Sequence, residues 1–222
     1  MLNYPYIPYT RESISEDEMH EKSANFLSWI NQRRSVRDFS SKEVPLEVME
    51  NIIMSASTAP SGAHKQPWTF CLISNDVLKS KLRKLAEEEE KKSYNGRMSE
   101  EWIRDLEPLG TNWEKEFIDI APWIIVVMKK AYDIDEKGEK RNNYYVSESV
   151  GIASGFLLAA IHNAGLVALT HTPSPMNFIS DALERPKNER PYLLIPVGHP
   201  NENAKVPDLT RKTKSNIIEY YL

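Results

Sequence analysis

The stretch from Tyr145 to Asn163 limits the possible folds more than any other part of this chain. Its side chains are apolar or small on nearly every side of a helix, running Val150, Gly151, Ile152, Ala153, Gly155, Phe156, Leu157, Leu158, Ala159, Ala160 and Ile161, with Gly165 as a C-terminal stop. A helix with no face to give to water lies at the centre of a fold or at a subunit interface. A second constraint comes from Trp123 to Met128, a continuous run of strand-forming residues after Ala121-Pro122, which reads as a central strand covered on both faces. At 222 residues and 41% hydrophobic content, with no shift in composition along its length, the chain supports one core, and a single domain over 1–222 is expected.

The remaining elements follow from periodicity and caps. Ser15 and Glu18 make a capping box ahead of Met19, Phe26, Leu27 and Ile30, which predicts a helix from about Glu16 to Gln32. Pro45 suits the first turn of a second helix through Leu46, Val48, Met49, Ile52 and Ile53, stopped at Thr58-Ala59-Pro60. A turn then leads to a strand over Trp68–Ser74, and Asp76 caps a helix through Leu78, Leu82 and Leu85 that runs into Glu87-Glu88-Glu89-Glu90-Lys91-Lys92. From there to Trp113 the segment is polar, broken by Gly96, Pro108 and Gly110 and dotted with Tyr94, Met98, Trp102, Ile103 and Leu106; residues 87–115 read as a mobile active-site lid. Asp133–Arg141 reads as a solvated loop, Leu166–Thr170 and Tyr192–Val197 as strands, and Ile179–Glu184 as a short helix. Residues 200–222 form an arm whose end, Ile217, Ile218, Tyr220, Tyr221 and Leu222, must pack somewhere, a partner included. The sum is an α+β fold with a mixed central sheet of four or five strands flanked by helices.

A formal net charge of −4 at pH 7 gives no chain-wide pull toward nucleic acid or anionic lipid, so any anion site is a local cluster. No stretch approaches the roughly 20 apolar residues of a spanning helix, and Met1-Leu2-Asn3-Tyr4-Pro5-Tyr6-Ile7-Pro8 does not read as a leader. The single cysteine, Cys71, excludes an internal disulfide and a multi-cysteine zinc site. His64 and His162 have no partner at ligand spacing, so no metal is expected. A soluble, cytoplasmic protein is expected.

There is no Gly-x-Gly-x-x-Gly, P-loop, His-Glu-x-x-His or Gly-x-Ser-x-Gly, so a bound phosphate must be held by side chains. Arg33, Arg34 and Arg37 offer that, the alternative being a solvated basic end of a helix. Thr58 to Trp68 joins a helix stop, an open turn at Gly62 and an aromatic anchor, as a ligand-cradling loop or as an ordinary connection. Glu90 and Tyr94 lie four apart and Lys115 follows a hinge at Gly110; together they clamp a zwitterionic amino acid or make a wet helix surface. Thr170-His171-Thr172-Pro173 aims hydroxyls at the end of a sheet, as ligand contacts or as a capped strand end.

Arg33-Arg34-Ser35-Val36-Arg37, with Thr58-Ala59-Pro60-Ser61-Gly62-Ala63-His64 and Pro67-Trp68, resembles the flavin-binding signature of the nitroreductase fold. Within that fold the chain is similar to the iodotyrosine deiodinase family from about Asn31 to Lys212. The likeness includes Tyr94-x-x-Arg97-Met98, Trp102-x-x-Asp105-Leu106, Thr111-Asn112-Trp113-x-Lys115, Asn163-Ala164-Gly165-Leu166-Val167 and Val206-Pro207-Asp208-Leu209. The resemblance implies that Arg33, Arg34, Ser35 and Arg37, with Arg211, hold the phosphate and ribityl chain of FMN. Pro60, Ser61 and Gly62 line the flavin, Thr170 contacts its ring, and the Thr172 hydroxyl hydrogen-bonds to flavin N5. It also implies that the Ala63 N–H meets the substrate phenolate while Glu90, Tyr94 and Lys115 hold its amino acid group. Family members are homodimers of domain-swapped type with sites at the interface, which would explain the apolar helix and tail. Two departures stand out: animal members carry an N-terminal membrane anchor, which this chain lacks, and His171 with Ser174-Pro175-Met176-Asn177-Phe178 differs from the animal pattern.

The expected activity is FMN-dependent reductive dehalogenation of a halotyrosine, with NAD(P)H or a reductase as electron source. The alternative is a broad nitro or quinone reductase using the same cofactor; a third reading is a flavin- or amino acid-binding protein without turnover.

Overall fold

The computed structural model describes residues 5–222; Met1 to Tyr4, half of the stretch tested above as a leader, lie outside the described residues. The chain separates into two compact units, residues 1–33 and 34–222. Within the first, α1 (Glu16–Asn31) starts at the expected capping box: the Glu18 amide donates to Ser15 Oγ at 3.2 Å and the Ser15 amide to Glu18 Oε2 at 2.8 Å. None of its residues is buried, and Met19, Phe26 and Leu27 are exposed.

The second unit begins at Arg34. Its first helix, α2 (Leu46–Ser57), follows Pro45, which sits one position earlier than expected, as the cap rather than inside the first turn. The turn Gly62–His64 precedes β1 (Trp68–Ile73). Helix α3 (Asp76–Lys92) is capped by the Asn75 side chain, which accepts from the Leu78 amide at 2.9 Å; Asp76 is the first helical residue. The segment read as a lid is helical for most of its length. It continues through a π-helical turn at Ser93–Arg97, α4 (Glu100–Leu106) and a 3-10 turn, Glu107–Leu109, closed by Gly110 at φ 58°.

Helix α5 (Phe117–Ile120) leads into β2 (Trp123–Lys130). The segment expected to be a solvated loop is a hairpin, β3 (Tyr132–Ile134) and β4 (Lys140–Asn142), because Asp135 accepts from the Lys137 and Glu139 amides and the Arg141 side chain and so builds the turn itself. Helix α6 (Val146–Asn163) starts at Tyr145 in the left-handed region and stops before Gly165 at φ 74°. Strand β5 (Val167–Ala168), helix α7 (Asn177–Ala182) and β6 (Glu189–Gly198) complete the order.

The main sheet has the order β1-β2-β6-β5, and every ladder in it is antiparallel. The parallel component of the expected mixed sheet is one bridge, Ser35 to Ala168, because the connection after Arg34 touches the edge strand at a single residue pair. β2 is central, and Ile124, Ile125, Val126, Val127 and Met128 are all fully buried. Alternation splits its side chains between two cores. Ile125 and Val127 join Met49, Ile52, Val150 and Leu157 of α2 and α6 on one face, while Ile124, Val126 and Met128 join Leu82, Phe117, Ile118 and Ile179 on the other. Truncating one of these to alanine is expected to cost about 2–5 kcal/mol.

Candidate active site

Helix α3 organises one end of the site. Three positions four residues apart, Lys79, Arg83 and Glu87, face α5. Lys79 Nζ donates to the carbonyls of Asp119 and Ala121 at 3.1 and 3.0 Å, and Arg83 pairs with Asp119 Oδ2 at 2.9 Å. Glu87 Oε1 accepts from Arg83 Nε and from the Lys115 amide, each at 2.8 Å. Burial works to raise the Glu87 carboxyl, but the bonds from Lys115 and Arg83 outweigh it and hold the group below its ordinary value.

One turn further on, Glu90 Oε2 lies 3.4 Å from Lys115 Nζ, and the two side chains are only 12% and 3% exposed. Lys115 Nζ also donates to the Asn112 carbonyl. Burial lowers the ammonium's proton affinity and the Glu90 carboxylate restores part of it. Tyr94 donates to the Thr111 carbonyl at 3.2 Å, and its phenol is raised by burial and then by Glu90. The three residues therefore meet, as expected, at the base of residues 91–114. Beside them stand Arg37, lowered by its own burial, and a cavity of about 530 Å³ lined in part by Arg37, Thr111, Asn112 and Phe117.

The segment Thr170 to Thr172 runs alongside β6, with His171 bridged to Leu194. Strand alternation leaves Thr170 and Thr172 exposed on one side and buries His171 on the other, edge-on to Phe117. His171 Nε2 has no hydrogen-bond partner, and burial, with the charges of Lys115 and Arg37, lowers the imidazole to about 3, so it is neutral. Arg34 donates to the Pro207 carbonyl, which draws the tail segment to the arginine cluster, and Ser35 is exposed at its bridge to Ala168. Arg33 ends the first unit, half-buried, with its amide on the Ile30 carbonyl; Arg211 is exposed on the arm.

The turn holding Pro60 to Ala63 lies elsewhere. The Gly62 amide donates to Ser149 Oγ at 3.3 Å, and a Cβ on Gly62 would fall 2.9 Å from the Tyr144 carbonyl oxygen, so the turn is docked on the start of α6. Ala63 and His64 have φ of 49° and 55°, and Gln66 follows at 47°: three non-glycine residues in the left-handed region. The amides of His64 and Lys65 bond back to the Ser61 and Gly62 carbonyls, and that of Gln66 to Ser61 Oγ. Among the described residues, the Ser61 and Ala63 amides of this turn have no acceptor. Along the sheet, Trp68 pairs with Lys129, whereas Ser35 bridges Ala168, which pairs with Val197 opposite Trp123. Six strand residues separate these rows, about 20 Å, and β1 and β5 are opposite edges. One protomer thus brings together Arg34, Ser35, Arg37, Glu90, Tyr94, Lys115 and the strand of Thr170 to Thr172, and leaves Pro60, Ser61, Gly62 and Ala63 at the far corner.

The nitroreductase family profile matches residues 30–199. An iodotyrosine deiodinase of Haliscomenobacter hydrossis is 60% identical over 97% of this chain and 97% of its own length. The chain belongs to the nitroreductase family, among the iodotyrosine deiodinases. Iodotyrosine deiodinase 1 of Homo sapiens is 44% identical over 97% of this chain and 75% of its own length. A crystal structure of oxidised iodotyrosine deiodinase bound to FMN and 3-iodo-L-tyrosine superimposes with a TM-score of 0.73 at 27% identity, covering 88% of this chain and 98% of that one. Nothing in the sequence singled out Glu87 or Ser149. Glu87 is hidden in a run of four glutamates, where only its spacing of three from Glu90 marks it, and Ser149 is one of two buried serines of α6, with Ser154. Among the described residues no helix is long and apolar enough to cross a membrane.

Proposed function

We propose that this chain, like the iodotyrosine deiodinases it resembles, binds FMN and removes halide reductively from halotyrosines. The observation that carries the reading is the nearly buried Glu90–Lys115 pair beneath a helical lid, two opposite charges spaced for the two ends of an amino acid zwitterion. The ligand's ammonium takes the Glu90 carboxylate and its carboxylate the Lys115 ammonium, so the ligand replaces one internal ion pair with two. Tyr94 closes the same pocket. Because the pocket is shielded, these pairs are worth more than exposed ones, and they select an amino acid over a plain phenol.

The donor set fits a flavin phosphate. Arg34, Ser35 and Arg37, with Arg33 and Arg211 as the resemblance implies, would hold the phosphate and ribityl chain. Thr170 and Thr172 present hydroxyls on one exposed side of their strand, where Thr172 would donate to N5. Bound and reduced, FMN supplies the two electrons that, with a proton, exchange the carbon–halogen bond for carbon–hydrogen and release halide and tyrosine. The unpartnered Ala63 N–H donates to the phenolate oxygen and stabilises its charge as an oxyanion donor does.

The far-corner position of the Pro60–Ala63 turn supports a homodimer in which one protomer's turn completes its partner's site. Electrons come from NAD(P)H or a reductase, and anaerobic mixing with NADH and NADPH separates the two.

The test is halide release from iodo-, bromo- and chlorotyrosine under anaerobic reduction, beside turnover of a nitroarene. Lys115→Gln is expected to weaken halotyrosine binding by about a hundredfold, as for a lost charged hydrogen bond in a shielded site, and to leave nitroarene turnover unchanged. A broad nitro or quinone reductase would reduce the nitroarene fast and release no halide.

A further inference from the structure

The Glu90–Lys115 pair raises a question that its own geometry does not answer. Once a ligand's ammonium occupies Glu90, that carboxylate no longer restrains Lys115, yet the lysine must stay aimed at the ligand's carboxylate. Glu87 supplies the restraint. It lies three residues before Glu90 on the same face of α3, and its Oε1 accepts the Lys115 main-chain N–H at 2.8 Å. Arg83 orients that carboxylate from one turn earlier at 2.8 Å and is itself tied to Asp119 of α5 at 2.9 Å. The Lys115 carbonyl in turn accepts from Ile118, the second residue of α5. Lys115 is therefore gripped through its backbone by a bond that ligand binding does not consume. Residues 91–114 leave and return between these two carboxylates.

Resting on the amino acid clamp proposed above, we infer that Glu87 is a positioning residue for the substrate. It anchors the returning end of the lid and holds Lys115 in place while Glu90 changes partner. Its charge also bears on the ammonium. The groups facing Lys115 are Glu87 and Glu90 of α3, Arg37, and the neutral His171 on the strand beside β6. Both carboxylates favour the protonated lysine, whereas burial and Arg37 disfavour it. Binding of the ligand's carboxylate needs the cation, so affinity falls as pH rises through the lowered lysine value. Removing the Glu87 charge brings that fall to lower pH.

The experiment titrates wild type, Glu87→Gln, Glu87→Ala and Lys115→Gln holoprotein with 3-iodotyrosine by calorimetry from pH 6 to 10, and follows trypsin cleavage within 91–114. Glu87→Gln is expected to weaken binding about tenfold at neutral pH, in line with a lost charged hydrogen bond. It should also bring the alkaline loss of affinity to lower pH and speed cleavage of the lid in the ligand-free protein, with Glu87→Ala more affected in all three. Glu87→Gln that matches wild type in affinity, alkaline limb and cleavage, while Lys115→Gln binds poorly, overturns the role of Glu87 and leaves the clamp intact. A loss of affinity with an unmoved alkaline limb and a parallel fall in thermal midpoint also overturns it, as general destabilisation. If Lys115→Gln binds as wild type does, the clamp itself fails and this role with it.

Discussion

His171 sits between two exposed threonines and is itself buried, which makes it the residue whose protonation the fold most opposes. Its folded value is lowered from 6.5 to about 3 by burial, then by Lys115 and Arg37. Between those values an unfolded chain takes up a proton that the folded chain refuses, so this residue's share of stability is intact above pH 6.5 and drains away as pH falls toward 3. His171→Gln is expected to flatten the drop in urea midpoint between pH 7 and pH 5 relative to wild type; equal drops in the two proteins would refute it. The same location carries a chemical consequence. If Thr172 meets the flavin as proposed, a neutral imidazole on the other side of its strand adds no charge there, so activity between pH 6 and 9 should owe nothing to its titration. Glu90, Tyr94 and Lys115 were legible in the sequence because the resemblance names them as a set. Glu87 was not, since four consecutive glutamates look alike until a helix gives one of them an amide to hold.

Helix α6 shows how far a composition pattern reaches. Val150, Ala153, Leu157 and Ile161 are buried and α6 packs on α2, while Ile152 and Phe156, at 45% and 44% exposure, flank Gly155 on a bare stripe. The sequence reading allowed a central helix or an interface helix, and within one protomer α6 is half of each. The uncovered stripe and the exposed Ile217, Ile218, Tyr220, Tyr221 and Leu222 match what a homodimer would bury. Phe156→Glu should leave the thermal midpoint of the isolated protomer nearly unchanged, because the side chain is already in water there. It should shift the mass measured by light scattering from dimer to monomer and release FMN. An unchanged dimer mass would show that the stripe is covered by something else. The lid teaches a related lesson: its breakers, Gly96 and Gly110, mark where helices stop, yet between them the chain forms α4, capped by Ser99.

The separation of about 20 Å between the Ser35 and Trp68 ends of the sheet has a consequence for the assembled protein. If each site combines the clamp of one protomer with the Ala63 turn of the other, a lesion in each can complement. Lys115→Gln destroys the clamp, and Gly62→Val forces the turn off the Tyr144 carbonyl, 2.9 Å from where a Cβ would stand. Each homodimer should be inactive toward iodotyrosine. Random mixing in equal amounts makes half the dimers mixed, each with one undamaged site, so about a quarter of wild-type deiodination should return. Were both parts drawn from the same protomer, mixing would restore nothing.

Local pattern alone determined the capping box of α1, the stop of α6 at Gly165, the buried β2 and the helical spacing of Glu90 and Tyr94, because each depends on neighbours within a turn or a strand's alternation. Tertiary structure decided the rest. The ladders β1–β2, β2–β6 and β6–β5 are all antiparallel although their strands are far apart in the chain, the Asp133–Arg141 segment is a hairpin because Asp135 builds its own turn, and the Ala63 turn stands a sheet's length from the arginines. Spacing along the chain carries no record of which residues end up across a sheet from one another, and that distance is the observation on which the proposed homodimer rests.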